Sequence, residues 1–132
     1  MTRVLVPRGR IMLIYNKKSY TSAPWMTKME AISDKYYDDT PRKSSGQWQK
    51  TMESSPLLRF MEHTFLDGFA YMKGNKKFML EHFTSISVIA KLTGTELEGA
   101  VEKFRSVLDE HFSDEEEIVL PLESEFYCVE KS

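Results

Sequence analysis

Three histidines are the residues of this chain whose type and spacing could support metal chemistry. Each follows a glutamate and lies within two residues of a phenylalanine; they are His63, His82 and His111. Three imidazoles are the smallest set with which proteins hold a catalytic zinc ion, so a three-histidine metal-dependent enzyme is one interpretation. However, the spacing contains no H-E-x-x-H pattern, which would place two ligands on one helix face. We therefore predict a protein that is not an enzyme and needs no cofactor, with the metal site as an alternative.

The composition predicts one small globular protein. The chain has 132 residues, of which 41% are apolar and 29% are charged, and eight Phe, six Tyr and two Trp supply material for a core. Its single cysteine, Cys128, has no intramolecular disulfide partner, which is typical of a reducing compartment. No apolar run approaches the roughly 20 residues needed to cross a bilayer. We therefore expect a cytoplasmic protein that makes no membrane contact.

The first eleven residues have two interpretations. Leu5–Gly9 reads L-V-P-R-G and resembles the thrombin-cleavage linker of expression vectors, which would make Met12 the native start. The same region could instead add an N-terminal strand, with Arg3–Val6 paired to the apolar run that follows. We treat residues 1–11 as a separate segment and predict that residues 12–132 form a single globular domain.

The hydrophobic pattern predicts an α+β fold that is rich in helices. Arg10–Tyr15 is a short apolar run and predicts a buried strand. Apolar residues at helical spacing predict the helices, and proline after a capping residue marks two of their starts. The predicted helices are Pro24–Tyr36, Pro56–Met72, Lys76–Phe83, Ser85–Leu92 and Thr95–Phe112. A C-terminal strand pair is predicted around Pro121, with strands at Ile118–Leu122 and Phe126–Val129.

The segment Ile86–Leu108 resembles the helix-turn-helix of transcription regulators. Its phrase I-A-K-L-T-G, at Ile89–Gly94, is similar to the end of the first helix and the turn in those proteins. The predicted C-terminal strand pair would then supply the wing of a winged helix. Groove-reading helices rely on Arg, Lys, Asn and Gln, whereas this surface carries Glu96, Glu98 and Glu102. The resemblance therefore implies a protein-binding version of this shape.

Charge is divided unevenly along the chain. Residues 1–50 carry ten Lys/Arg and four Asp/Glu, whereas residues 51–132 carry eight and sixteen. The net charge of −2 therefore conceals a basic half and an acidic half. The acidic half predicts a binding surface for a partner protein with a basic face. The predicted protein-binding residues are Glu96, Leu97, Glu102, Asp114, Glu115, Glu116 and Glu117.

The predicted function is a small non-enzymatic regulator or inhibitor that binds another protein, a type common in phages and mobile elements. Formation of a homodimer is a further prediction. The alternative is a nucleic-acid-binding regulator that uses the basic half, where aromatic rings alternate with cations as in single-strand binders. Its candidate residues are Lys17, Lys18, Arg42, Lys43, Trp48 and Lys50.

Overall fold

The computed structural model describes the backbone of residues 1–132 and every side chain except those of Asp67 and Phe69. The α+β class is confirmed. The strands are β1 (Arg10–Lys18), β2 (Leu58–Gly74) and β3 (Ile118–Lys131). The α-helices are α1 (Pro24–Asp34), α2 (Gln47–Glu53), α3 (Lys76–Thr84), α4 (Ser87–Ala90) and α5 (Gly94–His111). Short 3₁₀ turns occupy Thr2–Val4, Tyr20–Ser22 and Lys43–Ser45. Within the described residues, no helix combines the length and the apolar composition that crossing a membrane requires.

The three strands form one sheet in the order β1-β3-β2. The Lys131 N–H donates to the Gly9 carbonyl and the Ser124 hydroxyl donates to Asn16, so β1 and β3 run antiparallel. The Ser132 N–H donates to the carbonyl of Leu57, so the start of β2 also lies beside the end of β3. Strand β3 is therefore the central strand, and β1 and β2 form the two edges of the sheet. The strand predicted from Arg10 is confirmed, but the expectation that it would be buried was wrong, because β1 pairs on one side only and none of its residues is buried.

The chain divides into two compact units. Unit 1 consists of Met1–Lys17, Pro41–Ala70 and Leu122–Ser132, and unit 2 consists of Lys18–Thr40 and Tyr71–Pro121. Strands β2 and β3 each contribute residues to both units. The single domain expected from the sequence stays a prediction.

In unit 1, the short helix α2 packs on one face of the sheet through Trp48. The Trp48 ring lies 5.8 Å from that of Tyr15 in β1 and 5.1 Å from that of Tyr127 in β3, measured between centroids. Both contacts are edge-to-face, an arrangement that the quadrupoles of aromatic rings favour. Tyr127 is fully buried, and its hydroxyl donates to Glu53 at the end of α2 over 3.4 Å. These contacts position α2 on the sheet.

In unit 2, helices α1, α3 and α5 pack around a core of aromatic and methionine side chains. Phe83 of α3 and Phe104 of α5 are fully buried, with ring centroids 5.8 Å apart. Trp25 of α1 meets the Phe83 ring edge-to-face at 6.2 Å. The predicted apolar stripe of α5 is confirmed at its centre, where Phe104 and Leu108 are buried. The stripe therefore supplies the face of α5 that enters the core.

The prediction of a helix at Pro56–Met72 was wrong, because this segment forms strand β2. Gly68 has a φ of 77°, in the left-handed region that a right-handed helix excludes. The aromatic residues of the segment also favour a strand that pairs with β3. Phenylalanine and leucine recur so often here that the apolar positions fit a helical period as well as a strand. Pairing with β3 decides between the two.

Both ends of the chain also differ from prediction. Thr2–Val4 is a 3₁₀ turn, so the expected strand at Arg3–Val6 was wrong. The predicted strands Ile118–Leu122 and Phe126–Val129 are both extended, but they belong to one continuous strand, β3. Pro121 does not end that strand, and its carbonyl accepts a hydrogen bond from the Ser19 N–H.

The winged-helix resemblance is not confirmed. Helix α4, which would be the first helix of the motif, is a single turn at Ser87–Ala90. Gly94 does take the left-handed conformation expected of a turn, with a φ of 57°, and α5 follows it. However, β3 runs as one strand from Ile118 to Lys131 and does not fold back into the hairpin that a wing requires.

We expect Phe104→Ala to lower the free energy of unfolding by roughly 3–5 kcal/mol, because removing a fully buried ring leaves a cavity. Denaturant titration followed by circular dichroism measures the change. Ser106→Ala, on the exposed side of the same helix, is the control and should change the stability by less than about 0.5 kcal/mol. Equal losses in the two variants would contradict the placement of Phe104 in the core.

Candidate anion-binding surface

Basic residues of unit 1 gather at one end of the sheet, where β1 and β2 begin and β3 ends. We call this set the basic end; its members are Arg8, Arg10, Arg59 and Lys131. The Lys131 ammonium donates to the carbonyl of Leu5 over 2.8 Å, which holds the segment before β1 at this end of the sheet. The carboxylate among these cations is that of Glu130.

Three arginines of the basic end converge on Glu130. Arg59 Nη2 lies 2.6 Å from Oε1, Arg10 Nε lies 3.5 Å from Oε2, and Arg8 Nε lies 3.8 Å from Oε1. The Glu130 side chain is 6% exposed, whereas those of Arg59, Arg10 and Arg8 are 59%, 54% and 82% exposed. The hydrogen bond from Arg59 lowers the pKa of Glu130 below its ordinary value of 4.5, although burial opposes this shift. One ionised carboxylate therefore meets three exposed positive charges.

The backbone around Arg8 directs two of these arginines toward the same carboxylate. Arg8 has a φ of 62°, a left-handed conformation that costs an L-residue roughly 1–2 kcal/mol. The Gly9 N–H closes the turn by donating to the Val6 carbonyl over 2.9 Å. The turn thereby sets Arg8 and Arg10 beside the end of β3. Backbone strain of this kind clusters at functional sites, and here it accompanies an excess of charge.

A second buried carboxylate, Glu125, lies on the opposite face of β3, because side chains alternate along a strand. Lys43 Nζ lies 2.6 Å from Oε2, and His63 Nε2 lies 2.8 Å from Oε1. Burial raises the pKa of Glu125, but the hydrogen bonds from Lys43 and His63 outweigh burial, and the net shift is downward. Lys43 Nζ also lies 3.6 Å from the centre of the Tyr15 ring. Both carboxylate oxygens are occupied, so this cluster ties the sheet to the segment before α2 and offers no excess charge.

Several of the residues predicted to bind nucleic acid make contacts within unit 1. Trp48 packs between two tyrosines, and its Nε1–H donates to the Lys43 carbonyl, so its ring contributes to packing in unit 1. Lys17 and Lys43 each pair with a glutamate, at 2.5 Å and 2.6 Å. The remaining residues are divided between unit 1, with Arg42 and Lys50, and unit 2, with Lys18.

Sequence reasoning missed the arginines of the basic end. Arg8 and Arg10 fell in the segment that was set apart at residues 1–11, and Arg59 fell in the wrongly predicted helix. A signal was present in the sequence, because five of the six arginines precede Phe60. That enrichment of arginine does not reveal that Arg8, Arg10 and Arg59 meet, because their meeting depends on the pairing of β1 and β2 with β3.

The residues of the predicted protein-binding site also lie apart. Glu96 is in the first turn of α5 and Asp114 follows its C-terminus, and a helix of 18 residues is about 27 Å long. Three of the carboxylates have basic partners within unit 2; they are Glu102 with Arg105, Asp114 with Lys76, and Glu117 with Lys73. Glu116 accepts a hydrogen bond from the Ser113 N–H, Leu97 is half-buried, and Glu115 is exposed. The acidic residues are therefore spread over the length of α5 and the segment after it, with Glu96 in the first turn, Glu102 at the middle of the helix and residues 114–117 beyond its end.

The histidines have separate environments. His63 lies in unit 1, where it meets Glu125, whereas His82 and His111 belong to unit 2. His111 Nε2 lies 3.2 Å from the Lys28 ammonium. Among the side chains that the structure describes, no group of three or more His, Cys, Asp or Glu is placed to hold a metal ion.

No protein-family model matches the chain, and a search of curated proteins finds no significant match. We therefore infer the function from the geometry of the described residues.

We expect the protein to hold no structural metal. After purification without chelators, elemental analysis should find no stoichiometric zinc or iron, and EDTA should leave the melting temperature unchanged. One equivalent of bound metal that is lost in His63→Ala or His111→Ala would restore the three-histidine interpretation.

His82 is a half-buried titratable residue of unit 2. Its Nε2 is buried and has no hydrogen-bond partner among the described atoms. Burial, followed by the charge of Lys18, lowers the pKa of His82 below its ordinary value of 6.5. The unfolded chain therefore binds a proton more readily than the folded chain does. The contribution of neutral His82 to the free energy of unfolding is accordingly retained above pH 6.5 and lost as the pH falls below that value.

We expect the free energy of unfolding to fall between about pH 7.5 and about pH 5.5, and His82→Gln to reduce that fall, because Gln takes up no proton. Denaturant titrations at the two pH values measure both effects. His111→Gln is the matched control and should keep the wild-type dependence. A wild-type dependence that survives unchanged in His82→Gln would contradict the role given to this half-buried ring.

Proposed function

We propose that this protein binds nucleic acid without catalysing a reaction, and that the basic end of unit 1 contacts the phosphates. The observation that carries the proposal is the convergence of Arg8, Arg10 and Arg59 on one carboxylate. Three positive charges against one negative charge leave an excess of two, on side chains that are more than half exposed. An anion can therefore reach these guanidinium groups without first displacing the protein around them.

Arginine is the side chain best suited to phosphate. Its planar guanidinium presents donors in a fixed fork that matches two phosphate oxygens, and it is more weakly hydrated than an ammonium group. Glu130 contributes by orienting the arginines while cancelling a single charge. Its hydrogen bond to Arg59 occupies one nitrogen and leaves the other donors of that guanidinium available.

The net charges of the two units also favour the basic end as the surface that binds nucleic acid. Unit 1 carries nine Lys/Arg and six Asp/Glu, a net charge of +3. Unit 2 carries nine and fourteen, a net charge of −5. Carboxylates repel phosphates, so unit 2 disfavours the ligand that unit 1 attracts. Binding through phosphates carries little sequence information, so we expect weak sequence preference and steep dependence on salt.

The test is the affinity for two fluorescent oligonucleotides of about twenty nucleotides, a single-stranded oligothymidylate and a mixed-sequence duplex. Arg10→Ala/Arg59→Ala should weaken binding by about tenfold at low salt, because two phosphate contacts are lost. The slope of log affinity against log salt should become shallower by about 1 for each arginine removed. Fluorescence anisotropy between about 50 and 200 mM salt measures both quantities.

The matched control is Lys35→Ala/Lys91→Ala, which removes the same charge from exposed lysines of unit 2. This variant should bind as the wild type does, apart from a small effect of net charge. Equal losses in the two double variants would mean that net charge alone drives binding. No measurable binding of either oligonucleotide at about 50 mM salt would reject the proposal.

A partner protein with a basic surface is the second candidate, and the exposed carboxylates of Glu96 and Glu115 at the two ends of α5 favour it. Its probe is a lysine-rich peptide. Glu96→Lys/Glu115→Lys should abolish capture of that peptide at an unchanged melting temperature if this candidate is correct. If the double variant still captures the peptide, these acidic residues are only a solvated surface and this candidate is rejected.

A further inference from the structure

Strand β1 presents an open backbone edge. The Lys131 N–H donates to the Gly9 carbonyl and the Ser19 N–H donates to the Pro121 carbonyl, so the odd-numbered positions at both ends of β1 are hydrogen-bonded to β3. Backbone groups alternate in direction along an antiparallel strand, so the odd-numbered residues of β1 face β3 and the even-numbered residues face outward. The outward-facing residues are Arg10, Met12, Ile14, Asn16 and Lys18.

The open edge carries exposed apolar side chains. Met12 is 60% exposed and Ile14 is 71% exposed, and both project to the same face of the sheet. Natural edge strands are commonly protected by charges, prolines, bulges or a covering element, because unpaired backbone groups recruit another strand. Two of these protections are missing at the centre of β1, because residues 11–15 contain neither a charged residue nor a proline.

We propose that two copies of this chain pair through β1, antiparallel and about a two-fold axis, to form one continuous sheet. In the arrangement that fits best, Met12 lies opposite Ile14 of the second copy. By symmetry Ile14 then lies opposite Met12, and Arg10 lies opposite Asn16. Each of these pairs joins outward-facing residues, so each can exchange two backbone hydrogen bonds. Within the paired stretch from Arg10 to Asn16, the apolar side chains cover one another and no like charges face each other. Lys18 comes opposite Arg8 of the second copy, which lies outside β1 in the turn before it.

The neighbouring registers are less favourable. A slip of two residues in one direction sets Arg10 opposite Lys18 of the second copy, and like charges directly opposite are destabilising. A slip in the other direction sets Arg10 opposite Ile14, which leaves an apolar side chain without an apolar neighbour. A slip of one residue would oppose outward-facing and inward-facing backbone groups and lose the hydrogen bonds. The sequence of β1 therefore selects a single self-complementary register.

The pairing has a consequence for the basic end, which rests on the proposed function. Arg10 of one copy lies six residues along the strand from Arg10 of the other, roughly 20 Å at the rise of an antiparallel strand. One oligonucleotide could then contact both copies, and the dimer would bind it more tightly than either copy alone. The pairing itself is independent of this consequence and is tested without nucleic acid.

Sedimentation equilibrium over a range of protein concentrations tests the pairing. The wild-type mass should rise toward twice that of the monomer, and Ile14→Lys should remain monomeric, because it places two lysines in the centre of the interface. Leu66→Lys is the control, since Leu66 is an exposed apolar residue of the other edge strand, β2. A wild type that is monomeric at every concentration would overturn the proposal. So would a dimer that Leu66→Lys dissociates and Ile14→Lys does not.

Disulfide cross-linking tests the register. The two-fold axis passes between Leu13 and Leu13 of the second copy, a non-hydrogen-bonded pair with Cα atoms about 4.5 Å apart, within the range of a disulfide. Under mild oxidation, Leu13→Cys should form a covalent dimer. Ile11→Cys should not, because Ile11 lies opposite Tyr15 of the second copy. Replacement of Cys128 by serine in both variants removes the native thiol. Equal cross-linking of the two variants, or none of Leu13→Cys in a dimeric protein, would contradict this register.

Discussion

The pairing of β3 with both edge strands determines how charge is distributed in unit 1. Residues of β3 alternate between two faces, so Glu125 and Glu130 point to opposite sides of one strand. Both carboxylates are buried. A buried carboxylate stays ionised only where a cation or a hydrogen-bond donor lies against it. Strands β1 and β2 lie on either side of β3 and supply cations from both directions. The sheet thus creates two carboxylate clusters from residues that are far apart in sequence.

The clusters around Glu125 and Glu130 differ in the number of cations that surround the carboxylate. Around Glu125, Lys43 and His63 satisfy both carboxylate oxygens inside an aromatic environment, and the charge is confined there. Around Glu130, three arginines share one carboxylate and extend into solvent. Buried pairs with balanced charge mainly influence which fold is specified, whereas exposed excess charge attracts ligands. The proposed nucleic-acid surface follows from that excess.

Elements that are marked by nearby residues are predicted correctly from the sequence. Elements that depend on pairing between distant segments are not. The start of α1 at Pro24, the stripe of α5 around Phe104 and the strand from Arg10 are read from spacing and capping preferences. Strand β2 is misread because its apolar residues fit two periods, and pairing with β3 chooses one of them. The basic end could not be predicted for the same reason, since Arg10 and Arg59 meet only through β3.

If the excess positive charge around Glu130 binds phosphate, removing the Glu130 charge should increase that excess, and the affinity of Glu130→Gln for a single-stranded oligonucleotide measures the effect. Glu125→Gln removes the same charge from the other face of β3 and is the matched control, with circular dichroism to verify the fold of both variants. We expect Glu130→Gln to bind several-fold more tightly than the wild type, with a steeper salt dependence, and Glu125→Gln to bind as the wild type does. Equal affinities for the two variants, or weaker binding by a correctly folded Glu130→Gln, would contradict this expectation.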